Sequence, residues 1–326
     1  MGPTVELFAT NDGNKGDIVY LGSEQWIVAV GKLFPATMQW CTVTSSGGSL
    51  TVSSVQTYTP TSVSEISAYA FSADGTQLAI LWNDDIGNSY VDIINTATGG
   101  LNHRVSVPLY SDEVCWTGDY VWISFYTTGT YTTVLINAAT GSFVGGSVSG
   151  VVMGAIDDTY AILSNGWGGP TAYAYQLVGT TPTLEATYAN MGGVPNYNLD
   201  RRTSMFLSNG YSAIVPAAQV ALPSGFTNGD FYFWMGGTVW GDEVITSSLT
   251  EETVVTMNQC HLSTGIITSP SPLSGSLGGI EVDLACSDGT ASTVLGVQGI
   301  YGGGASVAVL LTPGDVGWHV GGVRCS

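Results

Sequence analysis

The strongest constraint on this chain is a recurring set of four short strand-forming runs closed by tight turns. It is clearest between residues 65 and 110. There the runs 66–71, 77–82, 90–95 and 103–107 are separated by Ser72-Ala73-Asp74-Gly75, by the polar loop 83–88 and by Thr96-Ala97-Thr98-Gly99. The runs are rich in β-branched and aromatic residues, and Asp, Asn and Gly supply the turn conformations between them. Four such strands in up-and-down order make one antiparallel sheet.

The order recurs along the chain. Trp116-Thr117-Gly118-Asp119 precedes a run at 120–126, and Asn137-Ala138-Ala139-Thr140-Gly141 closes the third run of that unit. Trp240-Gly241-Asp242 precedes 243–246, and Leu262-Ser263-Thr264-Gly265 follows. In all three units the first turn glycine precedes the second by 23 or 24 residues. A second pair also matches: Ile156-Asp157-Asp158 leads into Leu163-Ser164-Asn165-Gly166, and Leu199-Asp200-Arg201 into Leu207-Ser208-Asn209-Gly210. With Gly22-Ser23 and Ser287-Asp288-Gly289, seven turn anchors fall near positions 22, 75, 118, 158, 202, 241 and 289. Their mean spacing of roughly 44 residues is that of a propeller blade. The expected fold is therefore all-β: one domain over residues 1–326, a seven-bladed β-propeller of four-stranded antiparallel blades. The fifth and sixth units parse less clearly, which leaves six or eight blades open. Residues 1–10 hold an extra strand, expected to clasp the last blade around 319–324 and so remove a long free edge.

The turn Phe71-Ser72-Ala73-Asp74-Gly75-Thr76, with Leu78-Ala79 behind it, resembles the F-S-x-D-G-x-x-L-A turn of TolB-like and WD40-like propellers. About ten residues match well and the other units match loosely. The resemblance implies the fold alone, because in those families the motif is structural, and no functional residue carries over. A regular Gly-His and Trp-Asp pair in each blade is absent, which sets the chain apart from ordinary WD40 repeats.

Charge narrows the function. The chain of 326 residues has 25 Asp+Glu against 6 Lys+Arg, a formal net charge of −19. So few cations cannot track a phosphate backbone, which excludes nucleic-acid binding, nor can they hold an anionic lipid surface. The polar surface must be built from Ser, Thr, Asn, Gly and Tyr, a composition that suits virion-exposed or extracellular proteins. Met1-Gly2-Pro3-Thr4-Val5-Glu6 has neither the basic and apolar regions of a Sec signal nor a myristoylation pattern. No apolar run approaches the roughly 20 residues that span a bilayer. Five isolated cysteines, Cys41, Cys115, Cys260, Cys286 and Cys325, form no C-x-x-C pair and read as small buried hydrophobes.

Catalytic patterns are scarce. There is no G-x-S-x-G elbow, H-E-x-x-H, P-loop or G-x-G-x-x-G. His103 and His319 fall in expected fourth strands and His261 in a third, in different blades, so no shared site follows from them. Asp84-Asp85, Asp112-Glu113 and Asp157-Asp158 are paired carboxylates, but all sit at turns, where solvated side chains are the rule. Alternating oxygen ligands around Gly13 make Asp12, Asn14 and Asp17 a candidate calcium loop, with Asp84 and Asp85 a weaker one. Neither has an EF-hand's closing glutamate. The remaining signal is aromatic. Trp167 sits in the Gly-rich segment Asn165-Gly166-Trp167-Gly168-Gly169-Pro170, and Tyr126, Tyr131 and Tyr301 occupy similar loops. Exposed rings there would stack on sugars or fill partner pockets. The run Phe231-Tyr232-Phe233-Trp234 reads instead as a buried inner strand.

The expected role is a non-enzymatic structural or adhesive protein of a phage particle, at the tail or capsid surface. Its partners would be other virion proteins, a cell-surface glycan or receptor, or further copies of itself. A carbohydrate-binding or glycan-processing propeller is the first alternative and an intracellular interaction scaffold the second.

Overall fold

The computed structural model describes residues 4–9, 16–32, 35–84, 86–156, 158–192, 199–200, 205–208, 211–221, 235–240, 243–250, 254–261, 273–274, 281–282, 284–287, 294–298, 305–311 and 319–320. The chain opens with β1 (Thr4–Phe8). The first sheet holds β2 (Gly16–Gly22), β3 (Gln25–Lys32), β4 (Thr37–Ser46), β5 (Ser49–Val52) and β6 (Gln56–Tyr58). Its order is β2-β3-β4-β5, and β6 also pairs with β4. Three four-stranded antiparallel meanders follow: β7 (Val63–Phe71), β8 (Gln77–Asp84), β9 (Ser89–Asn95) and β10 (Leu101–Val107); β11 (Ser111–Thr117), β12 (Tyr120–Thr127), β13 (Thr130–Asn137) and β14 (Ser142–Ser149); β15 (Val151–Ile156), β16 (Tyr160–Ser164), β17 (Thr171–Val178) and β18 (Thr181–Ala189). Further strands pair in the same way, including Leu199–Asp200 through Val220–Ala221 and Met235–Trp240 through Leu273–Ser274. The arrangement is all-β and propeller-like.

The turns explain the repeats. At the β7–β8 turn, Asp74 Oδ1 accepts hydrogen bonds from Thr76 N–H at 3.0 Å and from Ser72 Oγ at 2.7 Å. Gly75 has φ +66°, and a Cβ there would come within 2.5 Å of Leu21 on the first sheet. The glycine thus answers both a left-handed backbone and a close approach between sheets. The β9–β10 and β13–β14 turns share one chemistry. Asn95 Oδ1 accepts from Thr98 N–H and Asn137 Oδ1 from Thr140 N–H, both at 3.0 Å, and Gly99 and Gly141 lie at φ +69° and +67°.

The core is divided between the sheets. Leu78, Ile80 and Trp82 of β8 pack toward the first sheet with Trp40, Tyr69 and Phe71. Ala79 and Leu81 of the same strand pack the other way, with Val114, Trp116, Val121 and Ile123. Trp122 in turn faces Val152, Ala155, Ala161 and Leu163 of the fourth sheet. A sheet buried on both faces needs apolar residues at successive positions, which is why β8 reads Gln-Leu-Ala-Ile-Leu-Trp and does not alternate.

The N-terminal strand finds a partner other than the expected 319–324. β1 pairs antiparallel with Ser306–Leu311, at the edge of the sheet that also holds Val294–Gln298 and Leu284–Ser287. Leu7 and Phe8 are buried there with Leu295, Val297, Ala308 and Leu310 beside Trp26 and Val28 of β3. That apolar match selects the partner. His319–Val320 pairs instead with Glu281–Val282, in parallel.

Two turn carboxylates give a pH prediction. Burial alone would raise Asp74, but the bonds from Ser72 and Thr76 hold it below its ordinary value of 3.8. Asp84 is also lowered, first by the Asn88 side-chain amide. A depressed carboxyl pKa stabilises the fold above the unfolded value and loses that contribution as pH falls through the folded one. Thermal midpoints measured from pH 6 downward should therefore hold steady and then fall below about pH 4. Asp74→Asn with Asp84→Asn should flatten the decline, and an unchanged decline would remove these turns as its source.

Candidate binding face

In an up-and-down sheet, the connection between the second and third strands lies at the same edge as the connection that enters the sheet. Loops β8–β9, β12–β13 and β16–β17 therefore share an edge with the connections β10–β11 and β14–β15. Hydrogen bonds tie these together: Tyr126 N–H donates to the Tyr110 carbonyl and Gly150 N–H to the Tyr131 carbonyl, each at 3.1 Å. At the opposite edge, Gly118 N–H of one sheet donates to Asp158 Oδ1 of the next at 2.8 Å.

The first edge carries the large exposed side chains Ile86, Leu109, Tyr110, Tyr126 and Trp167. Tyr110 is 72% exposed, Trp167 52% and Tyr126 44%. Tyr126 and Tyr131 are direct cross-strand partners on β12 and β13, with ring centroids 4.9 Å apart and planes tilted by 50°. Their hairpin closes through Thr128 and Gly129 at φ +50° and +89°, the two-residue turn whose twist suits a hairpin. Beneath it runs a buried relay. Val152 N–H donates to Ser124 Oγ at 2.7 Å, Ser124 Oγ lies 2.8 Å from Thr133 Oγ1, and Thr133 Oγ1 donates to the Gly150 carbonyl at 2.8 Å. This satisfied network fixes the hairpin against the next sheet. Burial, then Asp112, Tyr126 and Glu113 nearby, raises the Tyr131 hydroxyl above the usual tyrosine range.

The Trp167 loop is equally held. Asn165 Oδ1 accepts from Thr171 N–H at 3.2 Å, Ser164 Oγ donates to the Gly166 carbonyl at 2.8 Å, and Gly168 lies at φ +69°. These bonds hold the loop in a turn that leaves the indole half-exposed outside the core.

The other candidates fall elsewhere. Asp17 is buried: its Oδ1 accepts from Ile18 N–H at 3.0 Å and its Oδ2 from Phe71 N–H of the second sheet at 2.9 Å. Asp84 closes the β8–β9 loop by accepting from Ile86 N–H at 3.0 Å and Asn88 N–H at 2.8 Å. Asp12, Asn14, Asp85, Tyr301 and residues 231–234 lie outside the described residues. Among the described residues no three His, Cys, Asp or Glu side chains gather as a metal site would require. His103 Nε2 lies 2.9 Å from the Ala139 carbonyl of the next sheet, and Cys41 and Cys115 are buried. Tyr110, Leu109 and Ile86 were not singled out from the sequence, yet the alternation of strand direction alone places them on the edge with Tyr126 and Trp167.

Asp17→Ala removes an acceptor of two backbone N–H groups. Net hydrogen bonds to charged groups contribute about 1.5–3 kcal/mol each; relief of the carboxylate's burial cost offsets part of that sum, and a loss of about 2–4 kcal/mol is expected in denaturant titration, with or without calcium. A loss seen only when calcium is present would assign Asp17 to a cation site.

No family model matches this chain, and no curated protein does. Solved structures do. A chain in the crystal structure of the mitotic checkpoint complex aligns with 96% of this chain and 95% of its own, at a TM-score of 0.58 and 11% identity. At that identity the likeness is one of fold, and it supports the WD40-like β-propeller resemblance carried by the 71–79 turn.

Proposed function

We propose that this chain is a non-enzymatic binding protein whose partner docks on the edge bearing the β8–β9, β12–β13 and β16–β17 loops, in the particle-borne or extracellular setting its composition suits. The observation that carries the reading is the set of exposed aromatic rings on rigid turns at that edge. Tyrosine and tryptophan supply contact area at little cost in conformational entropy, and held rings lose less on binding. The same proposal counts seven blades, and what supports it is that β2, β7, β11, β15, Leu199–Asp200, Met235–Trp240 and Leu284–Ser287 each neighbour the next, the last neighbouring β2. An experimental density map with six or eight sheets around the axis would overturn that count.

The test is co-sedimentation with particles from the native source together with a glycan array, each run with wild type and with Tyr126→Ser/Trp167→Ala. Retention by wild type and at least tenfold loss in a folded variant is expected. Equal behaviour of the two would sink the assignment to this edge. Glycan binding lost with Trp167 would move the reading to sugar recognition, which the exposed indole favours among the alternatives.

A further inference from the structure

The chemistry around the rings specifies a partner more narrowly. The hairpin rings of Tyr126 and Tyr131 form a tilted pair of π-faces, half open to solvent. Asp112 lies half-buried on β11 at the same edge, where Ser111 pairs with Phe125, and Glu113 beside it is buried. Glu65 is exposed near the start of β7, and Asp84 lies at the neighbouring loop. Between Arg104 and Arg201 the sequence has no Lys, Arg or His, so the third and fourth sheets contain no cation of their own. Asp112 and Glu113 also act on Tyr131 through space. The same molecule already holds one cation with this combination of groups: the Arg104 guanidinium lies 4.8 Å from the Trp82 ring centre and hydrogen-bonds to Asp92 and Tyr58.

We infer that the aromatic edge of the second to fourth sheets docks a cationic segment of a partner protein, with Lys or Arg side chains lying over Tyr126, Tyr131 and Tyr110 and paired to Asp112 and its neighbours. This rests on the binding role proposed above. Aromatic faces attract cations through their quadrupole, and a carboxylate at the rim adds charge pairing and steering. A polyanion or an anionic membrane is repelled by the same groups, and the chain's net charge of −19 extends that selection beyond the patch.

The probe is a short fluorescent Arg-Gly repeat peptide, compared by anisotropy with Glu-Gly and Ser-Gly peptides of equal length. The Arg-Gly peptide alone is expected to bind, more weakly as salt rises. Tyr126→Ser with Tyr131→Ser leaves the net charge unchanged and should weaken it about tenfold, as loss of a desolvated cation–π contact implies. Tyr126→Phe with Tyr131→Phe keeps the rings and should retain binding, which separates ring loss from misfolding. Asp112→Asn should weaken binding several-fold, while Asp119→Asn, an equal charge change at the opposite edge, should not. Equal effects of Asp112→Asn and Asp119→Asn, or no effect of removing the rings, would mean attraction to net charge alone and would overturn the inference. No Arg-Gly binding by a protein whose particle or glycan binding is lost in Tyr126→Ser/Trp167→Ala would overturn the cationic partner and leave the binding edge standing. Indifference of every ligand to the ring variants would overturn both.

Discussion

Arg104→Ala is expected to lower the thermal midpoint by about 6–10 °C. The guanidinium grips Asp92 at two points, Nε to Oδ1 at 2.8 Å and Nη2 to Oδ2 at 2.9 Å. Asp92 is completely buried, and Tyr58 of the first sheet donates its hydroxyl to Oδ2 at 2.7 Å. Burial, then the hydrogen bond to Asp92, pushes the Tyr58 hydroxyl far above its ordinary range. The Trp82 ring under the guanidinium stacks on Tyr90 with centroids 4.7 Å apart. Removing the arginine leaves a carboxylate without its countercharge in the seam between two sheets, which costs about 3–5 kcal/mol. At this chain length each kcal/mol moves the midpoint by about 2 °C. Arg104→Lys should recover part of the loss, because a single ammonium cannot reproduce the fork. Replacing Arg104 by Met and Asp92 by Leu together should recover more, since no lone buried charge remains. A midpoint within a degree of wild type for Arg104→Ala would show that the pair carries no weight in the seam.

Trp122→Ala should be of similar size, a loss of about 3–5 kcal/mol in denaturant titration. The ring is fully buried between the third and fourth sheets with Leu135, Val152, Ala155 and Leu163. Its indole N–H donates to Thr117 Oγ1 at 2.8 Å, and Thr117 is itself buried. β-sheets joined by backbone ladders cannot slide together to fill so large a void, so both the lost transfer energy and the cavity are felt. Trp122→Phe keeps most of the volume and loses the hydrogen bond, and should cost about 1–2 kcal/mol. Equal losses for Ala and Phe would locate the effect in the bond to Thr117 and not in packing.

The tyrosine and tryptophan candidates differ from the carboxylates in what the sequence could reveal. Asn165-Gly166-Trp167-Gly168-Gly169 carries its own turn chemistry, so an indole there has nowhere to be buried locally. The pair Tyr126 and Tyr131 flanks a two-residue hairpin turn, which fixes their register as cross-strand partners without any distant contact. Asp17, by contrast, looked like a loop ligand because its neighbours are Gly, Asn and Lys. Its role is set by Phe71, which lies 54 residues away on another sheet. No local pattern announces such an acceptor.

For the second to fourth sheets the sequence by itself determined the strands, their turns and their grouping, because those follow from interactions within a few residues: Asp74 with Thr76, Asn95 with Thr98, glycines at positive φ. The apolar run of β8 has no polar side to expose, and the sheets packed on either side bury both of its faces. Only the tertiary structure decided which loops meet at one edge, that Asp17 joins two sheets, that Tyr58, Asp92 and Arg104 assemble from three strands, and that β1 pairs with Ser306–Leu311. Each depends on groups far apart in the chain, whose meeting is fixed by packing of sheet on sheet and leaves no periodic trace in the order of residues.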